Sequence, residues 1–180
     1  MKKIALFSLI LVLILSGCGG SKNASVEITL PASMFENQDV EQVIADAKEN
    51  GVEEVKQNDD GTYTYTMSKS VHEDMMKEMK EGIDEYLDEL KSGETFKSIK
   101  DIKHNNSYSE FQLIVDQAAF EKSLDSLATL GLGLQGMFYQ YFDGVSADKA
   151  KVTIKVEDQG TKTVFNTIVY PDDMQGAGQN

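Results

Sequence analysis

The feature that most constrains the fold of this chain is a pattern that occurs twice, 47 residues apart. Residues 52–58 and 99–105 share the same order of apolar and polar side chains, and each is followed by a turn, a second alternating segment and a helical stretch. One extra residue in the second turn raises the later spacing to 48. The pattern predicts two copies of a strand–strand–helix unit. Because a solenoid usually needs at least three repeats, two copies favour one closed domain.

The same alignment predicts which helical side chains face the core. Met67 and Ser68, at a strand end and a helix cap, correspond to Val115 and Asp116. Apolar-stripe positions of the two copies also correspond: His72, Met76 and Met79 with Phe120, Leu124 and Leu127. We therefore expect these last three residues to be core positions of a third helix.

The remaining segments complete an α+β pattern. Residues 25–30 predict a first strand, and Val40, Val43, Ile44 and Ala47 have the spacing of an amphipathic helix that ends near Gly51. Residues 151–157 and 163–170 predict a last hairpin. The expected domain spans residues 25–170, with a flexible tail at 171–180. Its architecture is a mostly antiparallel sheet of about seven strands, with about three helices packed on one face.

The N-terminus has the features of an export signal. Lys2 and Lys3 precede an apolar run over residues 4–15, which is shorter than the roughly 20 residues of a membrane-spanning helix. The run ends in Leu15-Ser16-Gly17-Cys18, which resembles the lipobox of bacterial lipoproteins. The resemblance implies cleavage between Gly17 and Cys18, removal of residues 1–17 as a signal peptide, and a diacylglyceryl group on the Cys18 sulfur. Residues 18–24 would then be the lipidated cysteine and a flexible tether.

Composition narrows the location and the partners. The chain has 30 acidic residues against 17 basic ones, all of them lysine, and a formal net charge of −13. With its lipobox and acidic strand–helix pattern, it resembles small lipoproteins of low-GC Gram-positive bacteria. That resemblance implies a lipid-anchored protein on the extracytoplasmic face of the cell membrane. A field this negative disfavours nucleic acid as a partner.

A glycine motif in the predicted third helix matches a dinucleotide-binding pattern. Gly131, Gly133 and Gly136 fit G-x-G-x-x-G, but the residues before them have helical periodicity, so the strand that the pattern requires is missing. We expect instead that the small residues allow a helix to approach the sheet closely, with a kink or a helix end nearby.

Metal and catalytic chemistry have little support in the sequence. His72, Met75, Met76 and Met79 share one helix face, as soft Cu(I) ligands would, but the stripe continues into residues that ligate nothing, which favours core packing. The chain has two histidines and one cysteine, which is assigned to lipid. A Cys–His pair and a multi-histidine zinc site are therefore excluded within one chain. We expect no catalytic residue, no cofactor and no resident metal.

One aromatic segment is a candidate ligand or partner surface. Phe138, Tyr139, Tyr141 and Phe142 lie in an apolar tract whose hydrophobicity is spread around the helix, which is typical of a buried helix or of one that contacts another molecule. The first functional hypothesis is a non-enzymatic interaction module that binds an envelope protein or a small extracellular ligand. The alternatives are a carrier of a small hydrophobic ligand and, with less support, an envelope hydrolase that uses carboxylates.

Overall fold

Seven strands in two sheets form the framework of the described chain. The computed structural model describes residues 24–173. The first sheet has the order β1-β3-β2 and the second has the order β4-β5-β6-β7. The strand bounds are β1 Ser25–Leu30, β2 Val52–Gln57, β3 Tyr63–Ser68, β4 Ile99–His104, β5 Glu110–Val115, β6 Val152–Asp158 and β7 Val164–Tyr170.

The α+β class and the mostly antiparallel pairing are confirmed, but the expectation of one sheet is wrong. Within residues 24–173, four of the strand pairings are antiparallel and the β5–β6 pairing is parallel. Each hairpin adds a different neighbour: β1 joins β3 in antiparallel orientation, whereas β6 joins β5 in parallel orientation. A parallel neighbour requires a crossover connection, and the chain between β5 and β6 supplies it with helices.

The helices differ in length and in how they begin. A short 3-10 helix spans Ala32–Phe35, and the α-helices are α1 Val40–Glu49, α2 Lys69–Lys91, α3 Gln117–Phe120 and α4 Leu127–Phe142. The Asp39 carboxylate caps α1 by accepting hydrogen bonds from the backbone N–H groups of Glu41 and Gln42. The α1 helix ends before Gly51, whose φ of +92° suits the residue that follows a helix.

The two hairpins have matching registers. Val52 pairs with Met67 in the first, and Ile99 pairs with Val115 in the second. Both pairings shift at the next position, between Val52 and Glu54 and between Ile99 and Asp101. The helix caps also correspond, since Ser68 accepts a hydrogen bond from Val71 N–H and Asp116 accepts one from Ala119 N–H. The 47- and 48-residue spacings in the sequence therefore describe equivalent positions in the two hairpins.

The equivalence ends in the helices. The α2 helix continues for 23 residues, whereas α3 stops after 4. Beyond α3, Ser123 uses its side chain to donate to Phe120 O and to accept from Asp125 N–H, which competes with helical hydrogen bonding. The expectation that Phe120, Leu124 and Leu127 are all core positions is therefore wrong for two of them. Phe120 is buried, but Leu124 is 76% exposed and Leu127 is 60% exposed.

Asp125 fixes this break to the second hairpin. Its Oδ2 accepts hydrogen bonds from the Ser98 backbone N–H at 2.8 Å and from the Ser98 hydroxyl at 2.5 Å, and both residues are buried. Burial of Asp125 disfavours its charged form, but these hydrogen bonds outweigh that effect and hold the pKa of Asp125 below its usual value. The segment between α3 and α4 is thus held against the start of β4.

Helix α4 is in close contact with several neighbours at its glycines. A Cβ atom at Gly131 would overlap the Tyr86 hydroxyl, one at Gly133 would overlap the Tyr170 ring, and one at Gly136 would overlap the Tyr108 carbonyl oxygen. The prediction of close approach is confirmed, and the three glycines lie inside one continuous helix instead of ending it. The strand that dinucleotide binding would require is replaced by helix on both sides of the motif.

Buried residues from both sheets and from the long helices form a single core. Helix α4 contacts β1 of the first sheet and β6 and β7 of the second, while α2 contacts β3 and β1 of the first and β4 of the second. The fully buried residues Met67, Leu90 and Leu132 come from a strand and from both long helices. The two sheets are therefore joined through the helices into one packed unit.

Candidate functional site

The four aromatic residues singled out from the sequence do not form one surface. Phe138 is 38% exposed, Tyr139 and Tyr141 are buried, and Phe142 is half-buried. Successive residues of a helix point about 100° apart, so neighbours in this segment face different parts of the fold. Phe138 and Tyr141 border a depression with Pro171, Tyr139 faces α2, and Phe142 lies at a different groove.

Tyr139 belongs to an aromatic cluster with a residue that sequence reasoning missed. Tyr108 lies edge-on to Tyr139 at a centroid distance of 4.7 Å and stacks on His104 at 4.6 Å. Burial, followed by the neighbouring Asp84 carboxylate, raises the pKa of Tyr108 to about 12. A hydroxyl that stays protonated at neutral pH suits packing and hydrogen bonding better than proton transfer.

The most apolar of the described depressions lies between α1 and α2, and we call it the α1–α2 groove. Its volume is about 580 Å³. Its apolar lining comes from both helices, from the first sheet and from the end of α4: Val43, Ala47, Val52, Tyr65, Val71, Met75, Met79 and Phe142. Three polar residues complete it: Asn50, Asp74 and Glu78.

Helix α1 supplies one wall of the groove and is only partly packed. Its apolar residues Val40, Val43, Ile44 and Ala47 are half-buried, and none of its residues is fully buried. An amphipathic helix normally places its apolar stripe against the core. Here Val43 and Ala47 pack partly against the core and also border the groove.

Helix α2 supplies the opposite wall with two methionines. Met75 and Met79 are one helical turn apart and half-buried, whereas Met76 turns into the core. The His72 Nε2 atom lies 2.7 Å from the Phe142 carbonyl oxygen, which requires the ring nitrogen to carry a proton and donate it. This hydrogen bond connects the first turn of α2 to the last residue of α4, beside the groove.

The candidate Cu(I) ligands are therefore divided among three environments. Met75 and Met79 line the groove, Met76 lies in the core, and His72 is bonded to the backbone of α4. In the part of the chain that the structure describes, no group of three or more histidine, cysteine, aspartate or glutamate side chains is placed to hold a metal ion. Core packing accounts for Met76, whereas Met75 and Met79 border the groove.

Two carboxylates lie at the edge of the groove. Asp74 and Glu78 are four residues apart on α2 and both are exposed. The ion pairs found within residues 24–173 join other residues: Lys69 to Glu73, Lys77 to Glu81, Lys91 to Asp88 and Lys151 to Asp172. The groove thus combines an apolar floor with a negatively charged rim.

Within residues 24–173, every carboxyl group with a shifted pKa has a lowered one. Hydrogen bonds from Thr62, Ser146 and Thr161 hold the pKa of Asp60, Asp148 and Asp158, respectively, below the usual value. A catalytic acid at neutral pH needs a raised pKa. These carboxylates act as acceptors in turns and caps, so they give no support to a hydrolase.

The residues that the sequence assigned to lipidation lie outside the described chain. Cys18 and Gly17 precede Ala24, the first described residue, so cleavage and lipid attachment stay predictions. Within residues 24–173, no helix has the length and apolar character that crossing a membrane requires.

The sequence contained both parts of the α1–α2 groove, but it predicted an amphipathic helix for one part and core packing for the other. One part is the apolar spacing of α1, and the other is the methionine stripe of α2. Periodicity identifies which helix face is apolar, but it does not say whether that face is fully covered. Only the tertiary arrangement of the two helices reveals the space between them.

Comparison with known proteins gives one match. The sequence model of the family described as Adhesin P1 N-terminal domain matches residues 19–127. No curated protein and no solved structure matches the chain. The matched segment extends from before β1 to the first residue of α4, so it includes both hairpins and the groove residues other than Phe142.

Proposed function

Because the chain belongs to the Adhesin P1 N-terminal domain family, we propose that it is a non-enzymatic interaction module at the cell surface. The family match is the observation that carries the proposal. The groove supports it, because most of its lining lies inside the matched residues 19–127. The proposed partner is another surface protein, so the role is protein–protein binding and not catalysis.

We also propose that lipidated Cys18 holds this module on the outer face of the membrane. The lipobox Leu15-Ser16-Gly17-Cys18 is its basis. From Cys18 to Ala24 the chain reaches at most about 25 Å at roughly 3.5 Å per residue. The tether would therefore keep the folded domain close to the membrane surface. The diacylglyceryl group carries two acyl chains, which makes attachment more stable than one chain would.

Metabolic labelling with a palmitate analogue tests the anchor. The natural chain should take up the label and fractionate with membranes, whereas Cys18→Ser should remain unlabelled and appear in the medium or as an uncleaved precursor. The matched control adds Ser21→Cys to Cys18→Ser, which restores a thiol outside the lipobox and should restore neither labelling nor attachment. Processing and fractionation of Cys18→Ser like the natural chain would contradict the anchor.

Site-specific photo-crosslinking on intact cells tests the interaction role. A photoreactive amino acid at Ala47 reports from the groove, and one at Glu121 reports from the exposed segment after α3. We expect a discrete crosslinked species from Ala47 that contains a second surface protein. If neither position yields a discrete species in cells that display the chain, the interaction role is contradicted.

A carrier of a small hydrophobic ligand is the second candidate function, and the apolar lining of the α1–α2 groove is the observation that favours it. Its volume of about 580 Å³ is in the range of small-molecule sites. Native mass spectrometry of a chain that begins at Ser21, which keeps every described helix and strand, tests this function. An added mass that disappears on denaturation supports a carrier, and a bare mass opposes it.

A further inference from the structure

Helix α1 has an apolar side that the fold leaves incompletely covered. Four residues of α2 and nine residues of α4 are buried, whereas α1 has none. Its strongest connection is to β2, the strand that follows it in the chain. Val43 and Ala47 on this side therefore line the α1–α2 groove together with residues of α2.

We propose that the α1–α2 groove binds an amphipathic protein segment with apolar side chains toward the floor and lysine or arginine toward the rim. The proposal rests on the interaction role argued above and adds the chemistry of the partner. It places recognition on α1 and α2, and not on the aromatic segment of α4.

The floor of the groove suits side chains of different shapes. Met75 and Met79 of α2 line the groove together with Val43 and Ala47 of α1 and Phe142 of α4. Methionine has several rotatable bonds and a polarisable sulfur, so it repacks around different apolar neighbours. An amphipathic helix presents anchors at i, i+3 or i+4, and i+7, which matches a groove bordered by two helices.

The rim determines the charge of the partner. Asp74 and Glu78 project from the same side of α2, and the ion pairs found within residues 24–173 use neither of them. The chain as a whole has a net charge of −13, so its electrostatic field also attracts cationic segments and repels anionic ones. A fatty-acid carboxylate or an acidic peptide would meet repulsion at this rim, whereas a basic segment would meet complementary charge.

Three synthetic helical peptides separate these contributions. The first has leucine at i, i+3, i+4 and i+7 and lysine at the other positions, which forms an amphipathic helix. The second replaces each lysine by glutamate, and the third replaces each leucine by serine. Calorimetric titration against the chain that begins at Ser21 should show one-to-one binding of the leucine–lysine peptide. We expect binding to the other two peptides to be weaker by about tenfold or more, because each lacks one half of the complementarity.

Two pairs of variants locate the binding. Ala47→Trp fills the groove and should abolish binding of the leucine–lysine peptide, whereas Ala45→Trp on the exposed side of α1 should leave it intact. Asp74→Asn with Glu78→Gln should weaken binding about tenfold. The matched control is Glu85→Gln with Glu89→Gln, which makes the same charge change on exposed residues of α2 outside the groove and should change binding less than twofold.

Circular dichroism shows whether each variant is folded, and NMR spectra of the methionine methyl groups show whether the peptide contacts the groove. On binding, the methyl resonances of Met75 and Met79 should shift in the folded natural chain. Equal binding of the leucine–lysine and serine–lysine peptides, or unchanged binding by folded Ala47→Trp, would overturn the groove proposal. If the groove fails these tests while photo-crosslinks form at Glu121, the interaction role stands and only the assignment to the groove is wrong.

Discussion

The two hairpin units have the same strand register but very different helices. In the first unit, α2 is a charged amphipathic helix that buries Met76, Ile83, Leu87 and Leu90 on one side. In the second, α3 ends after one turn, and α4 follows without a single charged residue and with neighbours on several sides. The alternation of apolar and polar residues and the length of the turn thus specify a hairpin locally, whereas the length and burial of a helix depend on its tertiary contacts.

Surface and core are distributed differently on the two helices. Helix α2 exposes most of its length and so borders the groove, while α4 gives most of its surface to the core. Burial of α4 against strands of both sheets explains why its sequence is so apolar. Three exposed α4 residues, Leu127, Leu130 and Phe138, lie on the side that these contacts leave uncovered.

Truncation of leucines on α4 tests this division with the largest expected effect. Leu132 is 0% exposed, so Leu132→Ala should lower the free energy of unfolding by about 3 kcal/mol through lost burial and a residual cavity. The matched variant Leu127→Ala, on the exposed side, should change it by less than about 0.5 kcal/mol. Urea unfolding of the chain from Ser21 measures both values. Similar losses for the two variants would contradict the assigned orientation of α4.

Glycine substitutions should have opposite signs on the two helices. A Cβ at Gly136 would overlap the Tyr108 carbonyl oxygen, which is backbone and cannot simply turn away, so Gly136→Ala should destabilise the fold by about 2 kcal/mol. Nothing lies within 4 Å of the corresponding position at Gly82 in α2, so Gly82→Ala should stabilise it by about 1 kcal/mol through helix propensity. Thermal unfolding of both variants checks the prediction, and a stabilising Gly136→Ala would refute it.

The smallest expected effect concerns the break that separates the units. Asp125→Asn weakens the acceptor for the Ser98 donors and should cost about 1 kcal/mol at pH 7. Because the pKa of Asp125 is lower in the folded state, its contribution is present above the unfolded-state pKa of about 3.9 and is lost as pH falls through the folded pKa. Urea unfolding between pH 7 and pH 3 should show the difference between the natural chain and the variant shrinking below about pH 4. Parallel curves over this range would contradict the role of Asp125.

Local signals in the sequence predicted the elements well. The bounds of β1 match the expected strand, and Ser68 caps α2 as expected. The sequence missed the division into two sheets and the parallel β5–β6 pairing, because strand pairing depends on contacts between distant residues. The apolar spacing also predicted a third helix that continues through Leu124. The structure breaks the helix there, because the Ser123 side chain competes for backbone hydrogen bonds.

The candidate site was less predictable than the fold. The aromatic segment at residues 138–142 attracted attention because it is strongly apolar, yet burial of Tyr139 and Tyr141 accounts for much of that character. The α1–α2 groove is formed by residues with ordinary core spacing, and its exposure follows from the incomplete burial of α1, which the spacing does not reveal. A sequence pattern shows which side chains are apolar, and the tertiary structure determines which of them are buried.

The place of β1 at the edge of the first sheet has a mechanical consequence. A pulling force on the chain before Ala24 first reaches β1, which is hydrogen-bonded to β3 along its whole length, from Ser25 opposite Ser68 to Leu30 opposite Tyr63. Load along the strand axis stretches these bonds together, whereas load across the axis peels them apart one after another. The direction of pull would therefore set how much tension the domain withstands before its first strand detaches.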